Sequence, residues 1–246
     1  DDTLIVADSS SVTYSDQTHT FPGEISRIVV ENDTVCWIGT HEHFVYRWTR
    51  GKTPQQLTAN GLTFGGIDRI IASRFDSRLW LVPFPSKAIL DWDPYVEIPQ
   101  PWYKRITVYN GERWKRFAEP SRLGTGLQSY FHGMLEDNDG NFWFGTNGFG
   151  VYHCNTDTEE FTWAPVGKFV NHAIGQDSAG YVWVASDFNT SDSASLICVA
   201  PTEAGLAGAP QTPYFDPGSP YYVRDIYAIN VDNEGKVRLS RQAVLE

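Results

Sequence analysis

The sequence predicts an all-β chain built from repeated units, because one motif recurs along it. The clearest copy is Glu136–Thr146, in which an acidic Asn/Gly turn separates Met134-Leu135 from Phe142-Trp143-Phe144. Such a turn between two apolar runs is typical of a tight connection between antiparallel strands. Four weaker copies share the turn and the apolar run after it, and they span residues 31–40, 74–81, 177–184 and 232–239.

The copies align on one position in the second strand of each unit, which we call the anchor. The anchors are Trp37, Trp80, Trp143, Trp183 and Arg238, at spacings of 43, 63, 40 and 55 residues. Periods of about 40 to 50 residues, with several short strands per unit, are typical of β-propeller blades, and the longer spacings contain insertions. A large aliphatic residue stands nine positions before every anchor and supports this register: Ile28, Ile71, Met134, Ile174 and Ile229.

The predicted architecture is a single domain, residues 1–246, of five four-stranded blades whose strands we label A to D. The last copy of the motif ends before its strands C and D, while Thr3–Ala7 and Val12–Ser15 are strand-like at the N terminus. These N-terminal strands are therefore predicted to close the last blade, with six blades as the alternative. The predicted blades are approximately 24–66, 67–126, 127–168, 169–223, and 224–246 plus 1–23.

Composition limits the possible partners and the compartment. The formal charge of -11 and the pI near 4.9 argue against nucleic acid, because phosphate binding needs clustered Lys and Arg. The sequence has no apolar run of the length that a membrane span requires. Scarce Lys, a single Met and the sequons at 32–34 and 189–191 favour an extracytoplasmic protein, periplasmic or secreted. The three cysteines lie in apolar strand-like runs, where free thiols pack as small hydrophobes.

The repeats resemble the two-component-regulator propeller repeat, whose pattern runs roughly I-x-E-D-x-x-G-N-x-W-x-G-T. The match is strongest at Glu136-Asp137, Gly140-Asn141 and Trp143. More distantly, the chain is similar to the streptogramin B lyase family, in which a His-Gly-Ile segment before the turn carries a catalytic histidine. Tyr130–Met134 looks like that segment, so this second resemblance implies a lyase with His132 as a catalytic residue.

A column of varied polar residues stands eleven positions before the anchors. In a propeller, the start of strand A and the B–C loop open on one face around the central channel, and the A–B turns lie on the other. Varied polar side chains at a channel mouth suit a ligand site, and Glu24, Asp68, Asn171 and Asp225 extend it. The column, which we call the polar column, consists of Ser26, Arg69, His132, His172 and Tyr227.

The favoured interpretation is a propeller that binds a small molecule or a glycan at this face. Arg69, Tyr227 and the neighbouring acids would orient the ligand. The long B–C loop of the second blade adds aromatic residues that suit stacking on a sugar, although they equally suit a small satellite core. These aromatic residues include Trp92, Tyr95, Trp102 and Tyr103.

Three other interpretations remain open at this point. His132 and His172 are predicted at equivalent places in adjacent blades and suit a lyase or hydrolase, either by proton transfer or with a divalent metal in the channel. His41 and His43 are weaker candidate metal ligands. Three carboxylates, those of Glu24, Asp68 and Asp225, suit hydrolysis by paired acids. Finally, the propeller is a protein-interaction scaffold if its aromatic residues form binding hot spots.

Overall fold

In a computed structural model, the described part of the chain consists entirely of β-strands and their connections. None of the described segments is a helix that is long and apolar enough to cross a membrane. The chain divides into two compact units, Asp1–Glu119 and Pro120–Glu246. The described residues are 5–14, 16–41, 44–57, 66–84, 106–116, 131–146, 150–164, 173–185, 196–199, 211–214, 226–232, 234 and 236–241.

The first unit contains three antiparallel sheets whose strands pair in chain order. The N-terminal sheet consists of β1 (Ile5–Ala7), β2 (Ser11–Tyr14) and β3 (Gln17–Thr20). The next sheet supplies strands A to D of the first repeat: β4 (Ile25–Asn32), β5 (Val35–Thr40), β6 (Val45–Thr49) and β7 (Gln55–Leu57). The third sheet supplies those of the second repeat: β8 (Gly66–Ala72), β9 (Leu79–Phe84), β10 (Thr107–Tyr109) and β11 (Trp114–Arg116).

The second unit repeats this pattern. The third repeat is β12 (Phe131–Glu136), β13 (Phe142–Thr146), β14 (Val151–Cys154) and β15 (Phe161–Ala164). The fourth repeat is β16 (Ile174–Gln176), β17 (Val182–Ala185), β18 (Leu196–Val199) and β19 (Gln211–Tyr214). The fifth repeat is a hairpin of β20 (Ile226–Val231) and β21 (Val237–Arg241).

Sheets pack face to face in chain order within the first unit. Every residue of β5 is buried, because a neighbouring sheet covers each face of this strand. On one face Ile38 and Trp48 pack with Val12 and Tyr14 of the N-terminal sheet. Alternate residues of the same strands turn to the sheet β8–β11, where Trp37 packs with Ile67, Leu81 and other side chains.

The second unit packs its sheets in the same way. Ala185 and Leu196 of the fourth repeat form a core cluster with Ile226 of the hairpin. A Cβ atom at Gly175 would lie 2.8 Å from Cγ2 of Ile229, so only glycine allows this close approach of the two sheets. The third and fourth repeats are joined by a hydrogen bond in which the Asn138 amide donates to Oε1 of Gln176 at 2.7 Å.

The N-terminal segment differs from the sequence prediction. It forms three strands, and the additional strand β3 is polar and therefore lacked the apolar alternation that indicates a strand. In the described chain this sheet and the hairpin β20–β21 are separate sheets, so that the described strands form six sheets. Closure of the last blade by the N-terminal strands and the number of blades remain predictions, as do the blade boundaries.

Candidate functional site

The A–B turn of the third repeat is held by one buried carboxylate. Oδ1 of Asp137 accepts hydrogen bonds from the amides of Asp139 at 3.0 Å and Asn141 at 2.8 Å. Oδ2 accepts a bond from Nε1 of the anchor Trp143 at 3.0 Å and lies 3.2 Å from Nε2 of His153. Both Asp137 and Trp143 are almost fully buried. The motif therefore joins the turn, strand B and strand C, as a structural element requires.

The same contact between an acid and the anchor recurs in other repeats. Nε1 of Trp183 donates to Asp177 at 3.0 Å, and in the first repeat Nε1 of Trp37 donates to Glu31 at 2.7 Å. Where arginine replaces the anchor tryptophan, NH2 of Arg238 donates to Asp232 at 2.9 Å. In these repeats the carboxylate six positions before the anchor is thus used in hydrogen bonds within the fold. The A–B end is for this reason poorly suited to bind a ligand.

Asp137 remains charged in this setting. Burial opposes its charged form, but the hydrogen bonds from His153, Asn141, Trp143 and Asp139 outweigh that effect and hold the pKa of Asp137 below its usual value. The charged form consequently stabilises the folded state above the ordinary pKa of about 3.9 for aspartate.

Strand A contains a β-bulge at the opposite end, close to its first residue, in four of the five repeats. Between two successive residue pairs of the A–B ladder, strand A contains one residue more than strand B. In β4, for example, Ile25 pairs with Thr40 and Arg27 with Gly39, so Ser26 is extra. The extra residue is Ser26 in β4, Asp68 in β8, His132 or Gly133 in β12, and Tyr227 in β20.

The bulges lie at the polar column. In the second repeat, strand pairing shows that a different residue belongs to the column. The A–B turn there covers residues 73–78, one residue more than the turn at 137–141. As a result Ile70, which pairs with the residue after the anchor, takes the place of Ile28 in the first repeat. Asp68 therefore occupies the column position, and the assignment of Arg69 to it was wrong by one residue.

Ser26, Arg27 and Glu24 define this end of the first repeat. Oγ of Ser26 is buried and has no hydrogen-bond partner among the described residues. NH1 of Arg27 donates to the Ser26 carbonyl at 2.9 Å, so the cation is held against the bulge. The amide of His41 donates to the Glu24 carbonyl at 2.8 Å, and both side chains are exposed. The start of strand A and the B–C loop thus lie at the same end of the sheet, as expected.

In the second repeat, Arg69 follows the bulge at the position of Arg27, and both arginines are half-buried. Arg27 was not among the predicted site residues, although a comparison of the turn lengths makes it equivalent to Arg69. Phe84 pairs with Gly66, the first residue of β8, so the long B–C loop begins at the same end as the bulge.

Several predicted site residues lie outside the described residues or have only their main chain described. The main chain places Asp68, His132 and Tyr227 at or beside bulges. The described residues contain no group of three His, Cys, Asp or Glu side chains suited to a metal, and a metal in the channel remains a prediction. The predicted site residues outside the described ranges are His43, Trp92, Trp102, Tyr103, Asn171, His172 and Asp225.

Comparisons with known proteins agree with the repeats. Residues 125–148 match the family model described as two component regulator propeller. No curated protein is significantly similar in sequence.

Among solved structures, the extracellular domain of BT4673 from B. thetaiotaomicron, described as part of a one component system, has a TM-score of 0.67 and 14% identity over 97% of this chain. This chain spans only 30% of that protein. Virginiamycin B lyase from Staphylococcus aureus, solved as an inactive variant with quinupristin, has a TM-score of 0.59 and 11% identity, and the match covers 94% of this chain and 73% of the lyase. The chain has an all-β propeller fold with a repeat of the two component regulator type.

Proposed function

We propose that this chain is a ligand-binding β-propeller that recognises a small molecule or a glycan at the strand-A ends of its blades. The observation that carries the proposal is the coincidence of the polar column with the β-bulges in four repeats. A bulge interrupts the hydrogen-bond ladder and re-aims a side chain, and bulges are frequent beside binding sites. The bulge recurs in four repeats, whereas the residue at the bulge differs from one repeat to the next.

The polar side chains at the two ends of the sheets are used differently, which supports the proposal. At the A–B end, Asp137 and Asp177 use their carboxylates to hold the turns and anchors. At the bulge end, the column holds Ser26, whose buried hydroxyl finds no hydrogen-bond partner in the described part of the chain. A buried polar group without a partner costs stability, so its retention at the bulge end favours a functional role for this end of the sheet.

The side chains at the bulge end favour a hydroxylated or anionic ligand. Arg27 and Arg69 supply guanidinium groups at equivalent places in adjacent sheets, and Glu24 is an exposed acid shortly before Arg27 in the chain. Guanidinium groups bind carboxylates and pairs of hydroxyls through several N–H donors. Trp92, Trp102 and Tyr103 belong to the loop that leaves from this end, and we propose that they stack on a sugar ring.

We also propose an extracytoplasmic location. Two structures similar to this chain are extracellular domains, and the low Lys content of the sequence points in the same direction.

A screen with matched variants tests the proposal. A glycan array and a panel of small metabolites, followed by thermal-shift titration, should identify a ligand. Arg69→Gln and Glu24→Gln should weaken its binding, by about tenfold for a lost charged hydrogen bond. Arg74→Gln is the control, because Arg74 lies in the A–B turn at the other end of the same sheet. Equal binding by all three variants would contradict the proposal.

A lyase or hydrolase is the second candidate function, favoured by the bulge at His132-Gly133 in β12. In this case His132 and His172 transfer protons in the channel, with or without a divalent metal. His132→Ala should then abolish turnover of a substrate found in the screen and leave the thermal midpoint close to that of the wild type. Loss of folding in this variant would instead give His132 a structural role.

A further inference from the structure

The edge strand β3 and the groove beside it form a second candidate binding site, and none of the described residues that line the groove belongs to the polar column. In the described chain β3 is the last strand of its sheet, after β1 and β2. The amide of Phe21 donates to the Ser10 carbonyl at 2.8 Å, which identifies the pair Ser10 and Phe21 as hydrogen-bonded. In an antiparallel ladder such pairs alternate with pairs that are not hydrogen-bonded.

The alternation determines which main-chain groups face outward. Val12 pairs with His19 in the next hydrogen-bonded position, whereas Thr13 pairs with Thr18 and Ser11 with Thr20 in the positions between. The N–H and C=O groups of Thr18 and Thr20 therefore point away from β2. The two residues are two positions apart, which is the spacing at which an antiparallel strand forms main-chain hydrogen bonds with the edge of a sheet.

A groove of about 360 Å³ runs beside this edge. One wall contains Gln17, Thr18 and His19 of β3, and the other contains the turn from Gly51 to Pro54. Trp48 fixes the second wall, because its Nε1 donates to the Lys52 carbonyl at 2.8 Å. The groove therefore exists before any ligand binds, which lowers the entropic cost of binding.

The groove has a positive character in an acidic protein. Its described lining includes the cationic Lys52, which is exposed, and contains no Asp or Glu. The nearest acid in the chain, Asp16, precedes β3 and does not line the groove. Side chains of Gln17 and His19 share the face of β3 opposite to that of Thr18, whose hydroxyl bonds Thr13.

We infer that β3 accepts an extended, acidic segment of a partner protein as an added antiparallel strand. Two residues of that segment exchange main-chain hydrogen bonds with Thr18 and Thr20. The residue between them stands opposite His19, on the groove side of the sheet, and an aspartate or glutamate there meets Lys52. Directly opposite residues bring their side chains within about 5 Å at the Cβ atoms.

The test is a titration of the whole chain with the synthetic peptide acetyl-Thr-Thr-Glu-Thr-Thr-amide, followed by amide NMR. Saturable shifts at Thr18 and Thr20 are expected at millimolar peptide. The peptide with a central Lys should bind about fivefold more weakly, which is the upper range for an exposed ion pair. Lys52→Glu should have the same effect, and Lys115→Glu, which changes an exposed lysine of β11, is the matched control.

Thr18→Pro tests the added strand itself, because proline removes the outward N–H and leaves the main-chain bonds to β2 intact, although the hydroxyl contact with Thr13 is lost. The variant should bind about tenfold more weakly, while Thr18→Ser binds like the wild type. Unchanged affinity in a folded Thr18→Pro protein, or no shift at Thr18 and Thr20, overturns the inference. If Thr18→Pro does not fold, Lys52→Glu decides the question, and unchanged affinity in this variant likewise overturns it.

Discussion

Replacing Asp137 by asparagine removes the charge on which the third repeat depends. The change keeps the shape of the side chain but places an NH2 group opposite one set of its present donors. If Oδ1 retains the amides of Asp139 and Asn141, Nε1 of Trp143 faces another donor. Trp143 is only 2% exposed, so water cannot readily replace the lost acceptor.

The expected loss is about 3 kcal/mol of unfolding free energy. A buried donor without a partner costs about 1–3 kcal/mol, and the two remaining amide bonds lose roughly 1 kcal/mol between them when their acceptor becomes neutral. Asp177→Asn is the matched comparison, because Asp177 accepts the equivalent bonds but Trp183 is only half-buried. For Asp177→Asn we expect a loss of about 1 kcal/mol of unfolding free energy, since water can reach the indole N–H of Trp183.

The assay is equilibrium unfolding in urea, followed by tryptophan fluorescence and far-UV circular dichroism. Coincident transitions from the two probes are needed before the free energies are compared. A loss of less than about 1 kcal/mol in Asp137→Asn, or a loss no larger than that in Asp177→Asn, would show that burial of the network does not decide its strength.

Three further outcomes are expected. The wild type should lose stability more steeply than Asp137→Asn as the pH falls below about 4, because the lowered pKa of Asp137 contributes stability that disappears on protonation; parallel acid transitions would contradict this. Gly175→Ala should destabilise the chain by about 1–3 kcal/mol, and Ile229→Ala in the same chain should recover part of the loss; purely additive effects would show that the two sheets do not meet at this glycine. Burial raises the pKa of the Cys36 thiol to about 11. In a protein that also carries Cys154→Ser and Cys198→Ser, Cys36 should therefore react with a disulfide reagent at pH 8 only after denaturation. Rapid labelling of the native protein would mean that the strand is accessible.

The repeat register was predictable because it depends on local sequence. An acid six residues before the anchor is close to it across a single tight turn, so the Asp137 to Trp143 contact follows from their spacing. The third N-terminal strand was not predictable in the same way. The sequence Gln17–Thr20 has no apolar residue, and its pairing with β2 depends on the two-residue turn after Tyr14 rather than on burial.

The bulges left a signal in the sequence that was not used. An apolar residue stands three positions before each aliphatic residue that follows a bulge, whereas a regular strand places residues of one face two positions apart. Turn length also matters, because the additional residue at 73–78 moved Asp68 into the polar column in place of Arg69. The apolar pairs are Ile25 and Ile28, Ile67 and Ile70, Phe131 and Met134, and Ile226 and Ile229.

Hydrogen exchange with and without a ligand from the screen tests the proposed site most directly, because it compares the bulge end and the A–B turn end of the sheets in one experiment. The proposal requires slower exchange at the bulges, in residues 24–27, 66–69, 131–134 and 226–228, with no change in the A–B turns. Protection confined to the A–B turns at 137–141 and 177–181 would contradict it, since the ligand would then bind the end of the sheets that we assign to the scaffold.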